Sequence, residues 1–233
     1  MAIKTLIINN KGGVGKSILA LWLSDAAAIK LNKKVLLLTS DNQNNAFHYS
    51  GVEPIFNKGL DDWIEKGIGD IFTLRENLSY IPLKNFKIKK SFKDDFNSFM
   101  EKMDYQYDYI FIDASPVLGL NEFFIEKADY FVIPTFLDEA TTDSIVNLLN
   151  VIDKHKVIAV IPNRVGTSVL EKEIYLKLRE YLQNFEIILT DAIEQSATLL
   201  KLIIKGKTVW ESKHKKALQV QEILAEVLEE LEE

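Results

Sequence analysis

The sequence predicts a doubly wound α/β fold, in which helices cover both faces of a mostly parallel sheet. Apolar runs typical of buried strands recur along the chain, and segments with apolar residues three or four positions apart separate most of them. Near-continuous apolar strands that alternate with helices are typical of parallel sheets covered on both faces. Polar and glycine-rich stretches follow several of these strands, at the end of the sheet where ligands bind in such folds.

The elements are predicted in order from these patterns. The predicted strands are residues 3–8, 35–38, 78–83, 109–112, 130–133, 157–161 and 185–189, and the run at 78–83 has the weakest pattern. The predicted helices are residues 17–31, 91–103, 139–152, 169–182 and 216–233.

The composition limits the chemistry. The chain has 233 residues, of which 47% are hydrophobic and 27% charged, so we expect a single folded domain over residues 1–233. Because there is no cysteine, thiolate-bound zinc, iron–sulfur clusters, disulfides and thiol nucleophiles are excluded. The histidines His48, His155 and His214 are too scattered in sequence to indicate a metal site.

The sequence also bears on localisation. The apolar run near the N-terminus is too short for a signal peptide, and no run approaches the roughly 20 apolar residues that cross a bilayer, so we expect a cytoplasmic protein. The net charge of −6 does not indicate nucleic-acid binding, which would need a local basic patch.

A glycine-rich segment, Lys-Gly-Gly-Val-Gly-Lys-Ser at residues 11–17, lies between the first predicted strand and helix. Glycines let such a loop turn its N–H groups toward phosphate oxygens, and the helix N-terminus adds a favourable dipole. Lys16 would neutralise the β and γ phosphates, and Ser17 would place its hydroxyl on Mg²⁺. The alternative is a glycine-rich turn without a ligand, but the strand-to-helix context favours a nucleotide. The predicted nucleotide-binding residues of the loop are Gly12, Gly13, Val14, Gly15, Lys16, Ser17 and Ile18.

With Lys11, the segment resembles the deviant Walker A motif of the ParA/MinD family of P-loop ATPases, and most of all its short ParA-type partition members. The resemblance spans nearly the whole chain. It implies a P-loop NTPase fold, ATP and Mg²⁺ as cofactors, and a homodimer in the ATP state. It also implies slow hydrolysis of ATP that a ParB-like partner stimulates. In the family this lysine reaches the partner's nucleotide, so Lys11 would act catalytically in trans; the alternative is a side chain that points to solvent.

Two aspartates follow predicted strands. Asp41 is interpreted as the catalytic residue that orients the attacking water and senses the γ-phosphate and Mg²⁺. Asp113 is interpreted as a Mg²⁺ ligand, so the predicted metal site comprises Ser17, Asp41 and Asp113. A strand-end turn at Asp41 and a helix N-cap at Asp113 are the alternatives. Residues 39–45 resemble the family's Asp-x-Asp-Pro-Gln-Gly-Asn segment at Asp41, Gln43 and Asn45 and depart from it at Thr39, Asn42 and Asn44.

Two later segments also resemble the family. Residues 161–165 resemble its adenine-recognition strand end, which implies that Asn163 hydrogen-bonds the base with Arg164 beside it. Residues 206–211, Gly-Lys-Thr-Val-Trp-Glu, resemble its Gly-x-Thr-Val-x-Glu segment, although the arginine usual about ten residues earlier is missing and Ser196 lies near that place.

Two basic clusters favour nonspecific DNA binding, and with it a nucleoid-associated partition ATPase. The resemblance assigns DNA contacts to the late cluster, and the alternative for both clusters is a solvated face. The late cluster comprises Lys201, Lys205, Lys207, Lys213, Lys215 and Lys216, and the early one Lys84, Lys87, Lys89, Lys90 and Lys93.

Two other functions compete with partition. A MinD-like membrane-associated regulator is disfavoured because the C-terminal amphipathic helix carries an acidic polar face, which anionic lipids would repel. A metabolic P-loop enzyme of ligase type remains possible from the motifs, whereas a reductase is excluded by the absence of cluster-ligating cysteines. We therefore expect no membrane partner.

Overall fold

The longest apolar runs of the sequence form the centre of one twisted sheet. A computed structural model describes residues 1–85, 92–115 and 120–232. Over the described residues the strands are β1 (Ile3–Ile7), β2 (Val35–Thr39), β3 (Phe72–Arg75), β4 (Leu78–Ile81), β5 (Tyr109–Asp113), β6 (Tyr130–Thr135), β7 (Val157–Val165), β8 (Ile188–Leu189) and β9 (Ile193–Glu194). β2 and β5 are buried at every position, as expected for strands of a parallel sheet that helices cover on both faces.

The strand order is β3-β4-β2-β5-β1-β6-β7-β8, and β9 also pairs with β7. All of these pairs are parallel except β3 with β4. The order reverses at β1, whose neighbours are β5 and β6, and this reversal opens a crevice at the carboxyl ends of the central strands. The doubly wound, mostly parallel fold is thereby confirmed.

Helices cover both faces of the sheet. The described helices are α1 (Lys16–Lys30), α2 (Asn45–Ser50), α3 (Leu60–Lys66), α4 (Phe92–Asp104), α5 (Leu120–Lys127), α6 (Glu139–Leu149), α7 (Val169–Gln183), α8 (Ala197–Ile204) and α9 (Lys215–Glu230). One apolar core lies between one face of the sheet and the helices α4, α5, α6 and α7. A second core lies between the opposite face and the helices α1, α8 and α9. No helix in these ranges is both long and apolar enough to cross a bilayer.

Two predicted strands differ from the observed ones by more than two residues. The strand predicted at residues 185–189 is only Ile188–Leu189, because Phe185 continues the turn that ends α7 and Glu186 adopts a φ of 60°. The strand predicted at 157–161 continues to Val165 through a bulge at Arg164, whose φ is 53°. Asn163 therefore lies within β7 rather than after it.

Candidate nucleotide-binding site

The glycine-rich loop lies between the end of β1 and the start of α1. Gly13 and Gly15 have φ values of 78° and 104°, which side chains rarely adopt. A Cβ at Gly15 would also lie 2.1 Å from Nδ2 of Asn163, so this position needs glycine for space as well. Among residues 1–85, 92–115 and 120–232, no side chain caps the N-terminus of α1, which leaves the N–H groups of its first turn for an anion. Lys11, Gly12 and Gly13 are exposed at the mouth of the loop.

A buried asparagine that the sequence interpretation missed fixes the start of the loop. Nδ2 of Asn9 donates to the carbonyl of Pro134 at 2.8 Å. Its Oδ1 accepts from the N–H of Lys11 at 2.9 Å and from the hydroxyl of Ser144 at 3.1 Å. Its only signal in the sequence is an asparagine directly after an apolar strand. Asn9 ties the loop to β6 and α6.

Asn163 supports the same loop from β7. Its Nδ2 donates to the carbonyl of Val14 at 2.8 Å, and its Oδ1 accepts from the N–H of Arg164 at 3.0 Å. Asn163 is buried and Arg164 is exposed. Both residues lie beside the loop, but the amide of Asn163 is engaged by protein backbone. Recognition of the adenine base by these two residues stays a prediction.

Lys16 is a buried cation at the base of the loop. Its Nζ donates to the carbonyl of Lys11 at 2.7 Å. Burial lowers the pKa of Lys16, and the carboxylates of Asp113 and Asp41 act in the opposite direction. An anion placed in the loop would offset the cost of burying this ammonium group.

Asp113, at the end of β5, is a buried carboxyl group beside Ser17. Burial raises the pKa of Asp113 to about 7, against the effects of a hydrogen bond with Ser17 and the charge of Lys16, while Asp41 adds to the rise. When both carboxylates are ionised, the ammonium group of Lys16 balances only one of the two negative charges. A hard divalent cation fits this need, because the oxygens of Ser17, Asp41 and Asp113 are the donors that Mg²⁺ prefers.

The carboxylates described at this site are too few to hold a metal ion by themselves. Across residues 1–85, 92–115 and 120–232, no group of three or more His, Asp or Glu side chains is arranged to hold a metal ion alone. A cation that arrives with phosphate oxygens matches such a site, since Mg²⁺ is commonly held by one or two carboxylates plus substrate phosphates.

Asp41 lies in the turn after β2, partly buried. Its Oδ1 accepts from the N–H of Gln43 at 3.0 Å, so the turn expected as the alternative interpretation is present. Its charge nevertheless affects both Lys16 and Asp113. The turn thus holds a carboxylate close enough to influence the loop lysine, and the two interpretations of Asp41 are compatible.

Both departures from the family pattern at Thr39 and Asn44 have local explanations. The buried Thr39 accepts the N–H of Asp41 at its hydroxyl, 3.0 Å away, and so positions Asp41. Asn44 has a φ of 49°, which asparagine tolerates better than other residues with side chains. Its amide also donates to the carbonyl of Leu83 and accepts from the N–H of Leu83, both at 2.8 Å.

The segment at residues 206–211 has a structural role. The hydroxyl of Thr208 donates to the buried Asp25 of α1 at 2.5 Å. Glu211 accepts from the N–H of Thr208 at 2.9 Å and pairs with Arg75 at 2.8 Å. Together these contacts attach the segment to α1 and β3. Ser196 caps α8 by accepting the N–H of Thr198 at 3.2 Å.

Most of the late lysines are exposed. Lys201, Lys205, Lys207, Lys213 and Lys215 are exposed, whereas Lys216 pairs with Glu194 at 2.5 Å. In the early cluster, Lys93 pairs with Glu126 at 3.0 Å and Lys84 donates to the carbonyl of Asn57 at 2.8 Å. Lys87, Lys89 and Lys90 lie outside the described residues. The late cluster is therefore the better candidate for an anionic partner.

Known proteins resemble this chain in sequence. A family model described as an AAA domain matches residues 3–161. The sporulation initiation inhibitor protein Soj of Bacillus subtilis (strain 168) is 29% identical over 171 residues, and the match covers 63% of each chain. The chain thus spans just under two thirds of the length of this relative.

Solved structures share the fold. An ATP complex of a McdA variant from Cyanothece has a TM-score of 0.83 and 16% identity, over 99% of this chain and 96% of that one. A plasmid partition protein from Borrelia burgdorferi has a TM-score of 0.74 and 21% identity, over 98% of both chains.

Proposed function

Since the chain belongs to the AAA-domain family, and within it to the ParA/MinD group of P-loop ATPases, we propose that it is a ParA-type switch. ATP closes two copies into a homodimer that binds DNA without sequence preference. Hydrolysis to ADP and phosphate, slow alone and stimulated by a ParB-like partner protein, opens it again. The cargo that such a switch positions is a plasmid, a chromosome or a protein assembly.

One observation carries the nucleotide part of this proposal. A buried ammonium group at Lys16 and a buried carboxyl group at Asp113 meet at an uncapped helix N-terminus, at the topological switch point of a parallel sheet. Lys16 supplies charge for the β and γ phosphates, and the N–H groups of residues 12–18 surround them. Arrangements of this kind act by positioning and charge stabilisation.

A magnesium ion would balance the negative charge of the carboxylates in this site. Ser17 and Asp113 would hold it, with Asp41 close by, and the bound ion would neutralise charge on the phosphate oxygens. Asp41 orients the water that attacks the γ-phosphate, held in place by its own turn and by the hydroxyl of Thr39. The side chain of Asn163 keeps the loop in its phosphate-binding shape from behind.

Lys11 completes the site only in the dimer. It is exposed at the mouth of the loop, while its N–H is fixed by Asn9. Its backbone is therefore held and its ammonium group remains available to a second copy. When two copies close over two nucleotides, each Lys11 lies beside the phosphates of the nucleotide bound by the other copy. There a cation stabilises the transition state of phosphoryl transfer.

Nucleotide-dependent dimerisation tests this role. We expect a slowly hydrolysed ATP analogue with Mg²⁺, but not ADP, to double the mass measured by light scattering. Lys11→Ala should weaken the dimer by about tenfold or more, because it removes a charge-assisted contact across the interface. Lys58→Ala, at another exposed lysine, is the control and should leave the dimer unchanged. A monomer at saturating analogue, or a Lys11→Ala dimer of wild-type stability, would contradict the model.

The late cluster supports the DNA part of the proposal. A dimer presents twice as many lysines to one duplex as a monomer does. Dimerisation therefore gives the protein an affinity for DNA that the acidic monomer lacks. Lys216 contributes least, because it is engaged by Glu194. ATP therefore controls DNA affinity through the number of phosphate contacts.

DNA binding is expected only in the ATP-analogue state, and its affinity should fall with salt by a log–log slope of about −0.9 per phosphate contact. A random-sequence duplex at two salt concentrations measures the slope. Lys201→Glu/Lys205→Glu, in the last turn of α8 and directly after it, should remove most of the binding. The matched control is Lys58→Glu/Lys177→Glu, which reverses two exposed lysines outside the cluster. Equal binding in all nucleotide states, or equal loss in both double variants, would refute the DNA part.

A further inference from the structure

A groove of 790 Å³ lies at the open edge of the sheet, between α7 and α9. α7 packs on one face of the sheet and α9 on the other, so the groove opens between two helices at the border strand. Its edge is the chain segment from Asp191 to Glu194, which contains β9. Nothing in the nucleotide mechanism uses this groove.

The border strands β8 and β9 are paired on one side only. Both pair with β7, and among the described strands none lies beyond them. An unpaired strand edge presents backbone N–H and C=O groups to which another extended chain can be added. Asp191 and Glu194 are exposed there, so the edge is accessible. An extended segment can therefore be added along this edge.

The two walls of the groove differ in charge. The α9 wall carries Glu222 and Glu226, and Asp191 stands at the strand edge beside them. Partial burial, followed by the charge of Asp191, raises the pKa of Glu226. The α7 wall instead presents the apolar parts of Tyr175 and Leu176 together with the cations Lys172 and Arg179.

Other charges in the groove are mostly engaged. Glu194 pairs with Lys216, and Glu171 accepts from the N–H groups of Gly166 and Ser168. The remaining cations are Lys172 and Arg179 of α7. The floor is apolar and is formed by Leu137, Val165, Ile193, Leu199, Val220 and Ile223. A strand laid along this edge would turn alternate side chains toward the acidic and the apolar wall.

We propose that this groove binds an extended segment of a partner protein in which basic and apolar residues alternate. The segment adds a strand beside β9, its basic side chains face Asp191 and Glu226, and its apolar side chains face Leu176. Because β9 pairs with β7 at Asn163, the added strand lies one strand away from the residue that supports the glycine-rich loop. The proposal does not depend on the ATP cycle.

The test uses the whole chain without nucleotide and a labelled six-residue peptide of alternating lysine and valine. Fluorescence anisotropy at low ionic strength should show saturable binding. Asp191→Asn/Glu226→Gln should weaken it by about fivefold to tenfold, as expected for two partly exposed ion pairs. Glu173→Gln, which removes an exposed charge of α7 outside the groove, is the control and should leave affinity unchanged. Amide hydrogen exchange should slow in residues 191–194 when the peptide is bound.

A second peptide separates strand addition from simple attraction of charge. Replacing the valines by proline removes N–H donors while the lysines are kept, and this peptide should bind much more weakly. The proposal is overturned if neither peptide binds, if both bind equally, or if the double variant binds as tightly as the wild type. Unchanged exchange at residues 191–194 would also overturn it. Because nucleotide is absent, none of these outcomes bears on the ATP switch.

Discussion

Lys16→Ala is expected to reduce ATP affinity by about 100-fold or more, because it removes a buried, charge-assisted contact with the phosphates. The ammonium group of Lys16 is buried and donates a hydrogen bond to the carbonyl of Lys11 at 2.7 Å. Burial lowers the pKa of Lys16, against the opposing effect of Asp113 and Asp41, so an anion in the loop would further offset the cost of burying this charge. Equilibrium titration with ATP and Mg²⁺ measures the loss.

Stability provides the control for this experiment. Since the buried charge opposes folding, Lys16→Ala should leave the thermal midpoint close to that of the wild type, and lost affinity will then not reflect lost structure. Lys11→Ala, at the exposed end of the same loop, should bind ATP almost normally as a monomer. Wild-type affinity in Lys16→Ala would show that the loop is not a nucleotide site.

The central fold could be predicted because its signals are long and local. The strands around residues 3–8, 35–38, 109–112 and 130–133 are apolar runs, interrupted in the first by Lys4 and Thr5, and all four form the centre of the sheet. The helices at residues 17–31 and 169–182 were predicted to within a residue at each end. Apolar periodicity suffices where an element is long and has one clear environment.

Short elements escaped prediction because tertiary contacts stabilise them. α2 has six residues and β9 has two, too few for a period to show. α2 is fixed by Phe47, whose ring packs edge-on against Tyr80 at 4.8 Å between centroids. β9 is positioned by pairing with β7 across a bulge, a contact between segments about 30 residues apart in sequence. Such contacts leave no local pattern.

The residues of the candidate site could be recognised from the sequence by their residue types, whereas the residues that hold them in place could not. The glycines, Lys16 and Ser17 form a motif with a mechanism, and the two aspartates follow strands. By contrast, Asn9 and Thr39 act through single hydrogen bonds to the loop and to Asp41. Asn44 replaces a glycine at a φ of 49° by bonding its own amide to Leu83. These roles depend on geometry that sequence spacing does not contain.

Asp41→Ala is expected to leave ATP affinity within about threefold and to lower the single-turnover rate by about 100-fold or more, the range for a residue that acts on the attacking water. Asp41 is the partly buried carboxylate of the site, whereas Asp113 is fully buried beside Ser17. Its position is fixed by the N–H of Gln43 and by Thr39, so the carboxylate is held before nucleotide binds. Phosphate release from a preformed ATP complex measures the rate directly, even if turnover is slow.

Two variants distinguish this role from a purely structural one. Asp41→Asn keeps an oxygen that can accept the N–H of Gln43 but loses the charge, so it should fold normally and remain as slow as Asp41→Ala. Asn42→Ala removes the neighbouring exposed side chain and should hydrolyse ATP at the wild-type rate. If Asp41→Asn turns over normally, Asp41 serves only the turn after β2, and the water must be oriented by another group.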